Sequence, residues 1–209
     1  FAGEILKITP VHHDGIVLEE RVKTLWGGDD KQYGKFTKAG KVSYASLPGF
    51  DLMGKVVASS SETPFANFIK KLNATDWVRQ GHTHFAGQTD GKCPYCQQKL
   101  PVSFEDDLLK CFDAQYQEDI AAISNFQSVY VSEMSSLVRT FESNLDDVMP
   151  GMNTDEYQAK VKNFKDAITI NTQRIEAKVK EPTTVASLED TDSLLLEIGS
   201  IIDQLNVQI

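Results

Sequence analysis

The residues in this sequence best suited to chemistry are Cys93 and Cys96, set in the run Cys93-Pro94-Tyr95-Cys96 with Gly91 before it and Gln97 and Gln98 after it. Thiolates at this spacing can hold one metal ion together or form a disulfide with each other. Pro94 fixes φ inside the turn and removes one backbone donor. A structural zinc ion usually takes four ligands, so one CxxC supplies half a site. The other half can come from a second copy of the chain, which makes an intermolecular hook. It can also come from His82 and His84, which give the order His-x-His-x8-Cys-x2-Cys. A third use is a redox pair, but the strand-then-helix context of thioredoxin is missing. Against all three stands a bland alternative, in which both thiols simply pack or stay free. Of these readings, metal binding with zinc as the cofactor is preferred.

The remaining candidates carry less. Cys111 lies beside Phe112 in an apolar helical pattern and reads as a small packing side chain. His12, His13 and Asp14 lack a partner pattern and read as loop residues. The pairs Asp106-Asp107 and Asp146-Asp147 read as solvated, the first pair also suiting a helix N-terminus. Trp77 and Tyr95 can stack on bases, but without interleaved Lys and Arg they read as packing around the knuckle. The segment from Gly34 to Ser43 is no phosphate-binding loop: five residues separate Gly34 from Gly40, and Val42 stands where Ser or Thr is required. No Ser-His-Asp, Cys-His or paired-carboxylate spacing supports catalysis by this chain.

Bulk composition narrows the setting. The chain has 209 residues, 41% hydrophobic and 24% charged, which is ordinary for a folded domain or two. A net charge of −9 argues against a main nucleic-acid surface here, which would carry a basic face. Three cysteines are not a secreted disulfide framework, so a reducing, cytoplasmic location is expected. No apolar run approaches the roughly 20 residues that span a bilayer, and no membrane partner is expected. The chain opens at Phe1 rather than Met, and its last helical pattern runs to the final residue; a segment of a longer protein is expected.

The elements that must position the cysteines are helical. The fold class expected is mainly α: long antiparallel helices forming a coiled-coil-like hairpin, a CxxC knuckle loop and an irregular N-terminal segment. Residues 1–60 form that irregular segment, with one short helix over Ile16 to Trp26, its apolar side made by Val17, Leu18, Val22, Leu25 and Trp26 and its stop by Gly27-Gly28. Residues 61–103 hold short helices and the knuckle. Ser61 caps the first, which has Phe65, Phe68, Ile69 and Leu72 as its stripe; a second forms around Asp76-Trp77-Val78 and ends at Gly81. Residues 104–209 form a long-helix bundle. Ser103 caps a single helix running to about Val148, striped from Leu109 and Phe112 through Tyr130 to Leu145, about 65 Å long. The Met149-Pro150-Gly151 break turns the chain into an antiparallel partner opened by Thr154. Its seam is Val161, Phe164, Ile168, Asn171, Ile175 and Lys178. After Glu181-Pro182 a third helix covers Ser187 to Ile209, with Leu194, Leu195, Ile198, Ile201, Ile202, Leu205 and Ile209 on its apolar face.

Several of these runs also resemble a known family. Asp76 to Gly81 (DWVRQG), Cys93 to Leu100 (CPYCQQKL) and the Phe112-Asp113 and Tyr116 that follow are similar to the central region of bacterial AAA/ABC-like ATPases, a group that includes anticodon nucleases of the RloC and PrrC type. LEERVKTLWG, SETPFANFIKKLN and the later KVKEP extend the likeness over most of the chain. The resemblance implies a split ATP-binding head, with nucleotide-binding lobes before and after this region and ATP bound only in the parent protein. It implies helices projecting from the head, tipped in the RloC type by a CxxC likened to the zinc hook of SMC-like DNA-repair ATPases. There two protomers each give one CxxC to a shared zinc ion, which here implicates Cys93 and Cys96 and a homodimer. The chain departs from the full pattern in lacking both lobes and any nuclease domain. Neither activity is assigned to it, and tRNA or DNA is expected to meet other parts of the parent.

Overall fold

The computed structural model describes residues 14–26, 32–40, 43–85 and 87–209. Seven α-helices carry the described residues: α1 (Gly15–Trp26), α2 (Pro64–Lys71), α3 (Thr75–Phe85), α4 (Phe104–Cys111), α5 (Ala114–Ser143), α6 (Asp155–Lys180) and α7 (Thr191–Asn206). Two 3-10 turns, Tyr44–Ser46 and Phe50–Leu52, lie between α1 and α2. Strand pairing among the described residues is confined to one antiparallel bridge, Lys92 to Lys99. The mainly helical architecture expected from the periodicity is what the chain adopts.

Helices α5, α6 and α7 make the framework, α6 packing against both others. On α5 the buried stripe is Tyr116, Ile123, Phe126, Tyr130, Met134, Leu137 and Phe141, and on α6 it is Tyr157, Val161, Phe164, Ala167, Asn171, Ile175 and Lys178. These positions recur at three- and four-residue steps, so each helix turns one continuous side inward. Two polar residues sit within the α6 seam and both are satisfied. Asn171 Nδ2 donates to Tyr130 Oη at 2.9 Å and to the Glu189 carbonyl at 3.0 Å, while its Oδ1 accepts from the Glu189 amide at 2.6 Å. Lys178 Nζ donates to the carbonyls of Lys55, Pro182 and Thr184.

The single long helix expected from Ser103 to about Val148 is instead two. It breaks at Phe112-Asp113, because Asp113 takes an extended backbone and its carboxylate accepts the Tyr116 amide at 2.9 Å to cap α5. That competition between an aspartate cap and helix continuation is invisible to the apolar period. Leu109, counted in the stripe, is 67% exposed. At 1.5 Å per residue, the 30 residues of α5 span about 45 Å.

Other ends shift for similar local reasons. Thr63, not Ser61, caps α2, its Oγ1 accepting from the Ala66 amide at 3.1 Å. Gly81 lies inside α3, which runs on to Phe85. Asp190 begins α7, its carboxylate taking the amides of Asp192 and Ser193. Of the expected stripe, Ile69 is buried and Phe65 packs beside it, while Phe68 and Leu72 are exposed and α2 buries Ala66 as well.

Between α1 and α2 the described residues have little regular structure, yet they are firmly pinned. Asn144 exchanges two hydrogen bonds with the backbone of Thr37, at 2.7 and 3.0 Å, and Asn206 does the same with Phe36, at 2.7 and 2.9 Å. Phe36 is thereby held edge-on against Tyr157. Gly49, with φ of +90°, lets the chain pass against α5: a Cβ there would lie 2.7 Å from the Ala122 carbonyl oxygen. Helix α1 forms as expected, while the side chains of Leu25 and Trp26 and the stop at Gly27-Gly28 fall outside the described residues.

Candidate functional site

The knuckle is a small backbone-bonded loop between α3 and α4. Lys92 donates to the Thr89 carbonyl at 2.9 Å, and the Leu100 amide returns to the Gly91 carbonyl at 2.8 Å. Inside that ring, the Cys93 amide donates to the Gln98 carbonyl at 2.8 Å and the Gln97 amide to the Cys93 carbonyl at 2.9 Å. Closing so tight a turn puts Gln97 at φ of +59°, a left-handed conformation that non-glycine residues adopt at a cost. Cys93 is half-buried, Cys96 is exposed, and both are free thiols.

This path orients backbone donors toward sulfur. The N–H groups of Cys96 and Tyr95 face the Cys93 sulfur and hold its thiol below the ordinary range, against an opposing effect of burial. A lowered thiol pKa means more thiolate near neutral pH, and thiolate is the form that binds metal. Cys93 and Cys96 are the residues of this loop that could hold a metal, as two of the four ligands of a tetrahedral thiolate site.

His82 and His84 do not join them. His82 Nε2 lies 2.8 Å from Glu105 Oε2, across the gap between α3 and α4. His84 sets its ring edge-on to Phe85, with centroids 4.8 Å apart. Among the described residues, no three His, Cys, Asp or Glu side chains gather into a group able to hold a metal. Cys111 is buried against Ala66 and Ile69, and that burial pushes its thiol up, away from the reactive range. His12 and His13 lie outside the described residues, and Asp14 caps α1 through the Ile16 amide at 2.9 Å. Asp106 and Asp107 fall in the first turn of α4, where acids suit the helix dipole, and Asp146 and Asp147 are exposed beyond the end of α5.

A polar junction absent from the sequence reading ties the knuckle to the bundle. Arg79 of α3 donates to the Lys180 carbonyl at 2.7 Å and the Val179 carbonyl at 3.3 Å, and Gln80 donates to Lys180 at 2.8 Å. These side chains satisfy carbonyls that the end of α6 leaves open. Beside them Asp76, buried, accepts from the Thr183 hydroxyl at 2.6 Å. Asp76, Arg79 and Gln80 lie within the DWVRQG run, but their partners are a hundred residues away in sequence, so spacing offered no signal. Phe112 contacts both the small core of α2 to α4 and the core beneath α5, placing the Phe112-Asp113 break at the joint between the two parts.

A cavity of about 460 Å³ lies elsewhere, between the N-terminal segment and α7. Its charges are already engaged, Lys38 with Asp203 and Asp192 with Ser43.

A family model described as an AAA domain matches residues 17–209. The chain belongs to the AAA domain family. No curated protein and no solved structure matches it. The AAA match takes in all but the first two residues of α1, then α2 through α7 and the knuckle, so both the bundle and the cysteine loop lie inside the family's own region. No helix among the described residues of this AAA-family chain is long and apolar enough to cross a membrane.

Proposed function

We propose that this AAA-family chain is a non-catalytic hook or arm segment of a larger ATPase, with Cys93 and Cys96 forming half of a zinc site shared with a second copy. The observation that carries the reading is the knuckle itself. Its backbone turns two N–H groups toward the Cys93 sulfur, and no third ligand gathers beside the cysteines among the described residues. Two thiols with no third ligand beside them among the described residues make a joint that another copy can complete. Zinc would supply directional bonds at that joint. The Arg79 and Gln80 contacts to the end of α6 then carry movement at the joint into the bundle.

The resemblance to the RloC and PrrC group supports a parent protein of the cytoplasm that binds ATP in lobes outside this region. It also supports work in an anticodon-nuclease or phage-defence system, with tRNA or DNA met by other parts. Metal analysis with sedimentation of the chain tests the shared site: zinc-dependent dimers that dissociate with chelator and are lost on Cys93→Ser are expected. A zinc-free monomer indifferent to both treatments would sink the proposal. The lowered Cys93 thiol also favours a second reading, a redox pair. That reading expects a reversible Cys93–Cys96 disulfide and metal-independent mass.

A further inference from the structure

Residues 32–40 lie across the bundle as a peptide lies in a groove. They form neither helix nor strand, and among them only Phe36 is buried. Two asparagines hold the segment by its backbone alone. Asn144, at the end of α5, accepts the Thr37 amide at 2.7 Å and donates to the Thr37 carbonyl at 3.0 Å. Asn206, at the end of α7, does the same for Phe36, at 2.7 and 2.9 Å. Such paired contacts read an extended backbone rather than its side chains, as a sheet edge does when it takes up a peptide.

Side-chain contacts add a preference for residue type. The buried Phe36 ring stands edge-on to Tyr157, with centroids 5.4 Å apart. Tyr157 Oη donates to the Phe141 carbonyl at 2.8 Å and accepts from Asn144 at 2.9 Å, so the bundle itself sets both pocket and clamp. Two residues on, Lys38 Nζ meets Asp203 of α7 at 2.6 Å. The segment carries Lys35 and Lys38 and no acid, on a chain whose net charge is −9, so the bundle favours a basic occupant. Past Lys38 the fit is poor. A cavity of about 460 Å³ lies between Ala39 and Gly40 on one side and Leu195, Leu196 and Gly199 of α7 on the other. A Cβ added at Gly40 would meet nothing within 4 Å. A larger apolar side chain at either position would bury more of α7 than the chain's own segment does.

We propose that the ends of α5 and α7 and the start of α6 form a binding site for an extended peptide, which residues 32–40 occupy as an intrachain stand-in. The peptide it fits in trans carries an aromatic residue two places before a lysine and a large apolar residue just after that lysine. The site is independent of the cysteines and of any shared metal. A second copy is the poorer occupant, because its segment fits no better than the chain's own and brings a net charge of −9 with it. Tethering gives the stand-in the advantage of an effective concentration of about a millimolar. Its hold nevertheless rests on one buried ring and four backbone hydrogen bonds, the exposed Lys38–Asp203 pair adding little. Segments held so sparsely open without unfolding of the core.

The test uses the full chain and, as the probe, a fluorescent peptide of residues 32–40 bearing Ala39→Leu. Phe36→Ala in the chain withdraws the anchor and clears the seat. Anisotropy is expected to show the peptide binding that chain at least about 10-fold more tightly than the unaltered chain, whose seat is filled. Phe36→Ala in the peptide should weaken binding at least about 10-fold, and so should Asn206→Ala added to the chain. No binding to the Phe36→Ala chain, or equal binding of the peptide lacking its ring, would overturn the proposal. Loss of helical circular dichroism on Phe36→Ala would overturn it too, because the segment would then be part of the core and not an occupant. A second readout needs no variant. In the unaltered chain the Phe36 and Thr37 amides should exchange at least about 10-fold faster than those in the middle of α6. Equal protection would mean that the segment leaves only when the bundle unfolds, and would overturn the site. Dimers in zinc-free buffer that Phe36→Ala abolishes would give the seat to a second copy and overturn the peptide as its occupant.

Discussion

Asp113→Ala should loosen the joint between the knuckle and the bundle, and its cost can be worked from four hydrogen bonds. The Asp113 carboxylate accepts the Tyr116 amide at 2.9 Å, the Ser60 amide and hydroxyl at 2.8 Å each, and the Ser59 hydroxyl at 2.9 Å. The Tyr116 amide, with the Ser60 hydroxyl next, lowers its pKa from 3.8 to about 2. At about 1.4 kcal/mol per unit the shift corresponds to ~2.4 kcal/mol, which solvent screening of a half-exposed group reduces to about 1–2 kcal/mol. Loss of an N-cap alone costs about 0.5–2 kcal/mol, and it overlaps that figure rather than adding to it. Urea unfolding at pH 7 should therefore show Asp113→Ala destabilised by about 2 kcal/mol, with Asp113→Asn intermediate. The folded pKa is depressed, so the unfolded chain binds the proton first as pH falls. The contribution is full above about pH 4 and lost toward about pH 2. Wild type should weaken more than the alanine chain across that window. Equal stabilities at pH 7, or identical acid slopes, would refute this account of the joint.

Three further substitutions probe the framework. Gly49→Ala should cost about 2–3 kcal/mol in thermal or urea unfolding, because the added methyl meets the Ala122 carbonyl at 2.7 Å from a left-handed backbone; a neutral result would mean the crossing is looser than described. Lys178→Met should cost about 2–4 kcal/mol by the same assay, since it strips donors from the Lys55, Pro182 and Thr184 carbonyls, and an unchanged midpoint would show those carbonyls finding other partners. Arg79→Ala should leave the cores of the α5–α7 bundle intact, yet raise hydrogen exchange at the α3 amides and at the α6–α7 connection, where its carbonyl contacts end; unchanged exchange there would remove the proposed coupling.

The bundle was legible in the sequence because α5, α6 and α7 each bury one continuous stripe, and three- and four-residue steps report such a stripe directly. The seam read from that spacing included Asn171 and Lys178, and the structure buries both. What spacing could not report was competition from single side chains. Asp113 stops a helix that the apolar pattern would continue, and Thr63 displaces Ser61 as a cap. Phe68 and Leu72 match a stripe in type, yet both are largely exposed. Contacts distant in sequence were equally hidden: Asn144 with Thr37, Asn206 with Phe36, Arg79 with Lys180. At the knuckle, CxxC spacing located the cysteines but not the backbone donors around Cys93. The lowered Cys93 thiol comes from the backbone N–H groups of Cys96 and Tyr95, which residue type does not reveal. His82 and His84 had suitable spacing, and His82 is drawn to Glu105 instead.

Native mass spectrometry of the zinc-loaded chain tests the central claim most directly, because it counts chains and ions in one particle. A species of twice the 23.3 kDa chain mass carrying a single zinc, absent from Cys93→Ser and Cys96→Ser chains, is the predicted result. A 23.3 kDa species holding its own zinc, or none, would contradict it.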